Sequence, residues 1–284
     1  MPRRMTSLEL FDETLDINST ENYEMAIQAS RDGFSFCLLD SLRNKFVLIR
    51  AFEPDENKYF NAGNISEFIC KDDFLTKKYK KVRLVMPSPK FTLIPSPLFD
   101  PAKKDEYFTF NHKHEDGNII LSNKLYEPDA FIVYSVQKTF SDVLEGLYPG
   151  IRPEVHILPL LDNISRTRRS IQGNYIHVHV ERDYFNLVIF SNNKLKFCNT
   201  YRFRNISDIL YYVLDVFNKL EIKQEETIHF SGQTEKYGDL STGFSVYVRT
   251  IKFAIPKGNF AFSYVFNDIE LHRYLNLFSI FNCG

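Results

Sequence analysis

Apolar and polar positions alternate along two separated stretches of the chain, and each stretch runs on into a helical period. Residues 23–29 (YEMAIQA), 34–39 and 45–52 read as three strands, joined by polar turns at 30–33 and 40–44. Residues 175–180 (YIHVHV), 185–190 (FNLVIF) and 195–203 (LKFCNTYRF) repeat that layout, with turns at 181–184 and 191–194. Alternation with a period of two marks a half-buried strand. Asn at 192 and 193 suits a tight turn because it tolerates positive φ. A helix follows each trio. It is predicted at 65–78 in the first copy. In the second, Asn205 or Ser207 serves as N-cap, Asp208 stands in the first turn, and Ile209, Leu210, Val213, Leu214, Val216, Phe217 and Leu220 form the apolar face. The copies share little sequence, but their order and loop lengths agree, which predicts a structural duplication.

The remaining segments fill in each half. In the first, 81–87 (KVRLVMP) is a near-continuous apolar strand of the buried parallel type. Prolines at 87, 89, 95, 97 and 101 punctuate a turn-rich stretch in which 91–95 is extended and a helix starts with Pro at its first position. Strands are predicted at 118–125 and 130–136, a helix at 139–147 stopped by Pro149 and Gly150, a strand at 154–158, and a connecting helix at 160–171. In the second half the pattern gives a strand at 227–230, a helix at 234–240, a long strand at 244–253 and a closing helix at 268–281, with Leu271, Leu275 and Phe278 on one face. A possible short strand lies at 7–11.

An antiparallel meander feeding a helix and then a new strand is the opening of a ribonuclease-H-like α/β unit. The expected fold class is therefore α/β: duplicated ribonuclease-H-like halves, each a mixed sheet with helices on both faces. The first half spans residues 1–158 and the second 159–284.

Composition narrows the field. Of 284 residues 44% are hydrophobic and 15% aromatic, enough for a sizeable core, so disorder is excluded. A formal charge of −1 offers no overall field for nucleic acid or acidic lipid. Arg166, Arg168 and Arg169 form a local basic cluster, expected to be a solvated helix face. Cys37, Cys70, Cys198 and Cys283 show no CxxC spacing and read as free thiols in a reducing compartment. The first residues lack the apolar core of a signal peptide, and no apolar run reaches the ~20 residues that span a bilayer. The expectation is a soluble, cytoplasmic protein without membrane insertion.

Two such halves resemble the actin-like ATPase fold shared by actin, Hsp70 and sugar kinases, over about residues 23–255. The stretches 91–99 (FTLIPSPLF), 176–200 and 272–278 (HRYLNLF) look like the PilM and GspL assembly proteins, and like an uncharacterised bacterial family with an actin-like ATPase fold. The resemblance implies ATP between the halves, with phosphate and Mg²⁺ held by turns of the pattern DxGxxxxK in the first half and DxGxGT in the second. It implies a Gly-rich adenosine turn further on. Gly lets backbone N–H groups approach phosphate, and carboxylates hold hydrated Mg²⁺.

Matched residue by residue, the first phosphate turn falls on Ser30-Arg31-Asp32-Gly33, which keeps one Asp and one Gly out of order. The second falls on Glu181-Arg182-Asp183-Tyr184-Phe185, with no Gly and two aromatics where phosphate should pass. The adenosine turn falls on Ser231-Gly232-Gln233-Thr234, with a single Gly. Asp32, Gly33, Glu181, Asp183, Ser231 and Gly232 are thus candidate remnants of a nucleotide site. Asp32 and Asp183 also fit the plainer role of ordinary turn residues.

Other constellations are weaker. His177 and His179 share one strand face and could ligate a metal, but a third ligand is not evident, and His112 and His114 lie in a polar loop. GxSxG, HExxH and P-loop motifs are absent. A ribonuclease-H-type nuclease needs several acidic residues on adjacent strands, of which Glu181 and Asp183 supply at most two. With 27 Phe, no Trp and no interleaved cations, the aromatics read as core rather than base-stacking platform. The sequence therefore predicts a non-catalytic pseudo-ATPase, without cofactor, that binds another protein through the cleft between halves or through exposed sheet edges. Tyr184 or Phe185 would plug the nucleotide cleft. The rival is an ATP/Mg²⁺-dependent switch or kinase using Asp32, Asp183 and Gly232. A nucleic-acid-processing enzyme is the third, more distant reading.

Overall fold

A computed structural model describes residues 6–54, 59–169, 171, 173–223, 225–237 and 240–283. Contacts divide the chain into two compact units. Unit 1 takes the chain up to Asp162, then Gly258–Ile269 and the segment from Asn276 onward. Unit 2 takes Asn163–Lys257 and Glu270–Leu275.

Unit 1 begins with β1 (Thr6–Phe11), β2 (Tyr23–Ala29), β3 (Phe34–Asp40), β4 (Lys45–Phe52), helix α1 (Ala62–Lys71) and β5 (Lys81–Met86). It continues with β6 (Phe91–Pro95), α2 (Lys104–Asn111), β7 (Asn118–Leu125), β8 (Ala130–Gln137), α3 (Lys138–Leu147) and β9 (Pro153–Val155). Helix α4 (Ile157–Arg168) follows, and the division between units falls inside it. The sheet order is β1-β4-β3-β2-β5-β9: β2, β3 and β4 form the expected antiparallel meander, while β5 lies parallel to β2 and β9 parallel to β5. A separate sheet, β6-β8-β7, closes with α2 over a small core of Phe108, Ile120 and Val133.

Unit 2 repeats the main layout with β10 (Asn174–Val180), β11 (Tyr184–Ser191), β12 (Lys194–Arg202), α5 (Ile206–Lys219), β13 (Thr227–Gly232), α6 (Leu240–Ser245) and β14 (Thr250–Phe253). Its order, β12-β11-β10-β13-β14, matches β4-β3-β2-β5-β9 strand for strand, and β13 is parallel to both its neighbours. The duplication is therefore present as topology. Asn205 caps α5 as read from the sequence, in a capping box with Asp208. The inner face of α5 (Ile209, Val213, Val216, Phe217) is buried on Ile176, Val178, Val180, Phe185 and Leu187 of the sheet.

The last segments return to unit 1. β15 (Ala261–Phe262) pairs in parallel with β4, and α7 (Leu275–Ser279) leads into Phe281. Around the buried ring of Phe46 gather Phe260, Phe262, Phe278 and Phe281, with centroids 4.8–5.2 Å away. Asp12, 2% exposed, takes Lys45 Nζ at 2.9 Å and the Ser263 hydroxyl. Arg83 Nη1 reaches the Cys283 carbonyl at 2.7 Å.

Several expectations need correction. α1 stops at Lys71 instead of running to Lys78, because the Asp72 carboxylate accepts the Phe74 and Leu75 amides (2.9 and 3.0 Å) and Arg50 Nη1 (2.8 Å), which bends the chain out of the helix. The strand expected at 154–158 ends at Val155, and α4 begins at Ile157. The helix expected at 234–240 is a short 3-10 turn, Thr234–Tyr237; residues 238 and 239 lie outside the described chain, as do 170, the penultimate position of the predicted connecting helix, and 1–5. The long strand expected at 244–253 is instead α6 followed by the four-residue β14. Phe244 and Val248, four apart, both enter the core, and Phe244 meets Phe230 edge-on at 5.2 Å. The closing helix is broken into short 3-10 turns around α7, and the chain passes from unit 2 back to unit 1 between Leu275 and Asn276. Arg168 is buried, bonded to Asn193 and stacked 4.4 Å over Phe190, whereas Arg166 and Arg169 are exposed as expected.

Phe46→Ala would empty the centre of the four-ring cage. We expect a loss of about 3–5 kcal/mol, read by urea unfolding, with a change several-fold smaller for the half-buried Phe131→Ala on the separate sheet.

Candidate functional site

The parallel pairing of β10 with β13 decides which candidate residues meet. Its register sets His177 opposite His229, His179 opposite Ser231, and Val180 opposite Gly232. Ile176, Val178 and Val180 point into the α5 side of the sheet, so Tyr175, His177, His179 and Glu181 share the other face. His229 and Ser231 of β13 stand on that same face.

There the side chains form one buried chain of hydrogen bonds. The Ser231 hydroxyl lies 2.7 Å from both His177 Nε2 and His179 Nδ1, and His179 Nε2 lies 3.2 Å from Glu181 Oε1. His177 and Ser231 are fully buried; His179 is 2% and Glu181 7% exposed. A carboxylate only accepts, so the tautomer that fits has His179 Nε2–H donating to Glu181 and Nδ1 accepting the Ser231 proton. Ser231 Oγ then accepts from His177 Nε2–H. This leaves His177 Nδ1 as a bare acceptor, and it has no hydrogen-bond partner among the described residues. Burial pushes the His177 pKa well below its ordinary value, with His179 and His229 adding to the effect. Burial also lowers that of His229, whose ring stacks 4.3 Å from Tyr175. The order Ser–His–Glu is that of a nucleophile relay, but a second imidazole bonds the hydroxyl and the whole line is buried. As built, the line ties β10 to β13.

Gly232 sits beside it with φ +83°, and a Cβ there would lie 2.0 Å from the Val180 carbonyl oxygen. This position requires glycine. The close approach lets the Gln233 amide donate to Val180 O at 2.7 Å. Gly33 is different: φ is ordinary, and a Cβ would make normal contact, 3.5 Å from Phe52 O.

In all three turns matched to nucleotide binding, backbone amides are bonded within the chain. The Ser30 amide donates to Gly33 O at 3.0 Å and the Asp32 amide to Ser30 Oγ at 3.1 Å. The Glu181 amide donates to Tyr184 O at 2.9 Å, alongside the Gln233 bond. Glu181 is engaged by His179, while the exposed Asp183 carboxylate takes Arg202 Nη1 at 2.6 Å. Asp32 and Gly33 belong to unit 1, and Glu181, Asp183, Ser231 and Gly232 to unit 2. Phe185, expected as a plug, lies in the core of unit 2 near Tyr201, Phe203 and Tyr212, and Tyr184 is buried as well.

The sequence placed His177 and His179 on one face without a third partner; the partner is Ser231, hidden because it is distant in the chain. His112 holds the Phe91 carbonyl at 2.9 Å and packs on Phe108. The sequence did not reveal Glu235, Glu270 and His272, whose donor atoms gather within 4.8 Å in unit 2. The cysteines of the described residues are all free thiols, as expected. Among the described residues no helix is long and apolar enough to cross a membrane.

A family model described as a protein of unknown function, DUF3822, matches residues 12–251. Among solved structures, a Bacteroides thetaiotaomicron protein with an actin-like ATPase fold and unknown function matches with TM-score 0.82 at 22% identity, covering 95% of this chain and 100% of that one. A PilM–PilN type IV pilus biogenesis complex matches with TM-score 0.54 at 11% identity over 90% of this chain and 96% of that one. The ethanolamine utilization protein EutJ from Carboxydothermus hydrogenoformans gives 0.51 at 8% identity, over 97% and 93%. The fold is the actin-like ATPase fold. A search of curated proteins finds no match.

Two outcomes test this geometry. Gly232→Ala should cost on the order of 3 kcal/mol or prevent folding, because a Cβ meets backbone that cannot move aside, whereas Gly33→Ala should cost under about 1 kcal/mol. His177 binds its proton far more weakly folded than unfolded, so stability should fall as pH drops below about 6.5. The loss of Tm between pH 7.5 and 5.5 should shrink in His177→Gln; an unchanged loss would show that His177 does not govern it.

Proposed function

This chain belongs to the DUF3822 family, and on that footing we propose that it is a non-catalytic, actin-like pseudo-ATPase that works by holding another protein. The observation that carries the reading is the fate of the backbone amides at the turns where the fold would cradle phosphate. A phosphate cradle needs several N–H groups free and converging. Here the Ser30, Asp32 and Glu181 amides already have partners inside the chain, as does the Gln233 amide in the turn matched to adenosine. Each such bond is worth about 1 kcal/mol net, and breaking several offsets much of what a nucleotide would contribute. The single glycine of the turn matched to adenosine, Gly232, serves the approach of β13 to Val180.

Protein binding is supported by the fold's open edges and by one structural relative. β12 and β14 end the sheet of unit 2 and β1 ends one side of that of unit 1, whereas the outer backbone groups of β9 are bonded to Asn123 and Tyr134. Edge strands accept an added strand from a partner through their unpaired backbone groups. The PilM neighbour is described in a complex with PilN, which makes a binding role for this scaffold reasonable. The rival reading, an ATP/Mg²⁺ switch, would rest on Asp32, Asp183 and Gly232.

Thermal shift and calorimetric titration with ATP, ADP and GTP, each with Mg²⁺, separate the two. A ligand at 100 times its Kd stabilises the folded state by about 2.7 kcal/mol, a shift easily seen in Tm. We expect no shift at millimolar nucleotide. A shift that Asp32→Ala or Asp183→Ala abolishes would overturn the proposal.

A further inference from the structure

Outside the nucleotide turns, unit 2 gathers a second set of polar side chains with a different chemistry. Glu235 stands in the short 3-10 turn that leaves β13, while Glu270 and His272 come from the returning segment Glu270–Leu275, packed against that strand. Each offers one donor atom, two carboxylate oxygens and an imidazole nitrogen, all within 4.8 Å of one another. His272 is 6% exposed, its ring lies 4.4 Å from that of Phe253, and Nε2 is 3.0 Å from Thr234 Oγ1, a hydrogen bond that an ion bound at Nε2 would replace. The carboxylates face the outside, Glu270 the more so at 61% exposure, which leaves a path from solvent.

Distances admit a coordinated ion. His272 Nε2 and Glu270 Oε2 are 3.6 Å apart, long for a hydrogen bond. An ion with metal–ligand distances of about 2.0–2.2 Å in tetrahedral geometry separates its ligands by about 3.4 Å, so this pair already spans one edge of such a polyhedron. Charge points the same way. Two carboxylates converge on one imidazole, and Arg273 Nη1 pairs with Glu235 at 2.7 Å. Among the described residues, no lysine or arginine side chain makes an ion pair with Glu270; its partner is the His272 imidazole, 3.6 Å away.

We propose that Glu235, Glu270 and His272 form a binding site for a divalent transition-metal ion, with the Thr234 hydroxyl as an adjacent oxygen. The mixed nitrogen and oxygen set suits Zn²⁺, Co²⁺ or Mn²⁺ over Ca²⁺ or Mg²⁺, which prefer all-oxygen shells. The bound ion fastens the Glu270–Leu275 segment to the end of β13. Glu235, Glu270 and His272 lie outside the turns matched to the nucleotide, with only the adjacent Thr234 shared with the adenosine turn, and the site stands or falls without any nucleotide.

The test is titration of the chelator-treated full chain with Co²⁺, followed by its visible absorption, and with Zn²⁺ by calorimetry, both without nucleotide. The expected result is one ion per chain at micromolar concentration, with affinity lowered about tenfold or more in Glu270→Gln and in His272→Gln. Glu270 is a surface side chain, so its variant keeps the fold, checked by an unchanged melting curve of the metal-free protein. Binding only at millimolar Co²⁺ would overturn the proposal. So would tight binding that survives both substitutions, which would place the ion elsewhere, as at His112 and His114.

Discussion

A strand cannot lie parallel to the strand before it unless the chain first crosses one face of the sheet. Two of the crossings that meet it run through α1, between the meander and β5, and through α5, between the meander and β13. Everything chemically distinctive in unit 2 descends from the second crossing. It sets the register of β10 on β13, and the register sets Ser231 between two imidazoles and Gly232 against Val180. Slipping β10 by one residue would turn His177 and His179 into the hydrophobic core under α5 and break their bonds to Ser231.

The two glycines at matched turns differ in what the backbone asks of them. Gly232 has a conformation and a contact that no other residue could adopt, yet both serve the sheet. Gly33 has neither requirement. A nucleotide-binding turn would show the opposite: constrained glycines with amides pointing outward.

The sequence disclosed the meanders, the cap of α5 and the duplication because each is written locally, in alternation, turn residues and helical spacing. Three features escaped it for physical reasons. The run from Phe244 to Phe253 is rich in β-formers, but burial of Phe244 and Val248 on one core favours a helical turn, and tertiary packing overrides propensity. Asp72 ends α1 through side-chain bonds that mimic a turn, and nothing in the helical period announces them. Arg168 reads as solvent-facing from its charged neighbours, while its own stem lies over Phe190. The candidate sites were legible only in pieces. His177, His179, Glu181 and Ser231 were each visible, but their meeting is a product of β-sheet register. Glu235 and His272 lie on segments whose proximity no spacing rule encodes.

The cage around Phe46 has a consequence for how this chain is made. Four of its five rings, Phe260, Phe262, Phe278 and Phe281, are translated only after the whole of residues 163–257 has been synthesised. Until then the nascent unit 1 carries an uncovered aromatic face on β4, while most of unit 2 emerges from the ribosome and begins to fold behind it. Vectorial synthesis therefore leaves the earlier unit dependent on the latest-made residues, and holding that face apart from other chains in the interval is work for a chaperone.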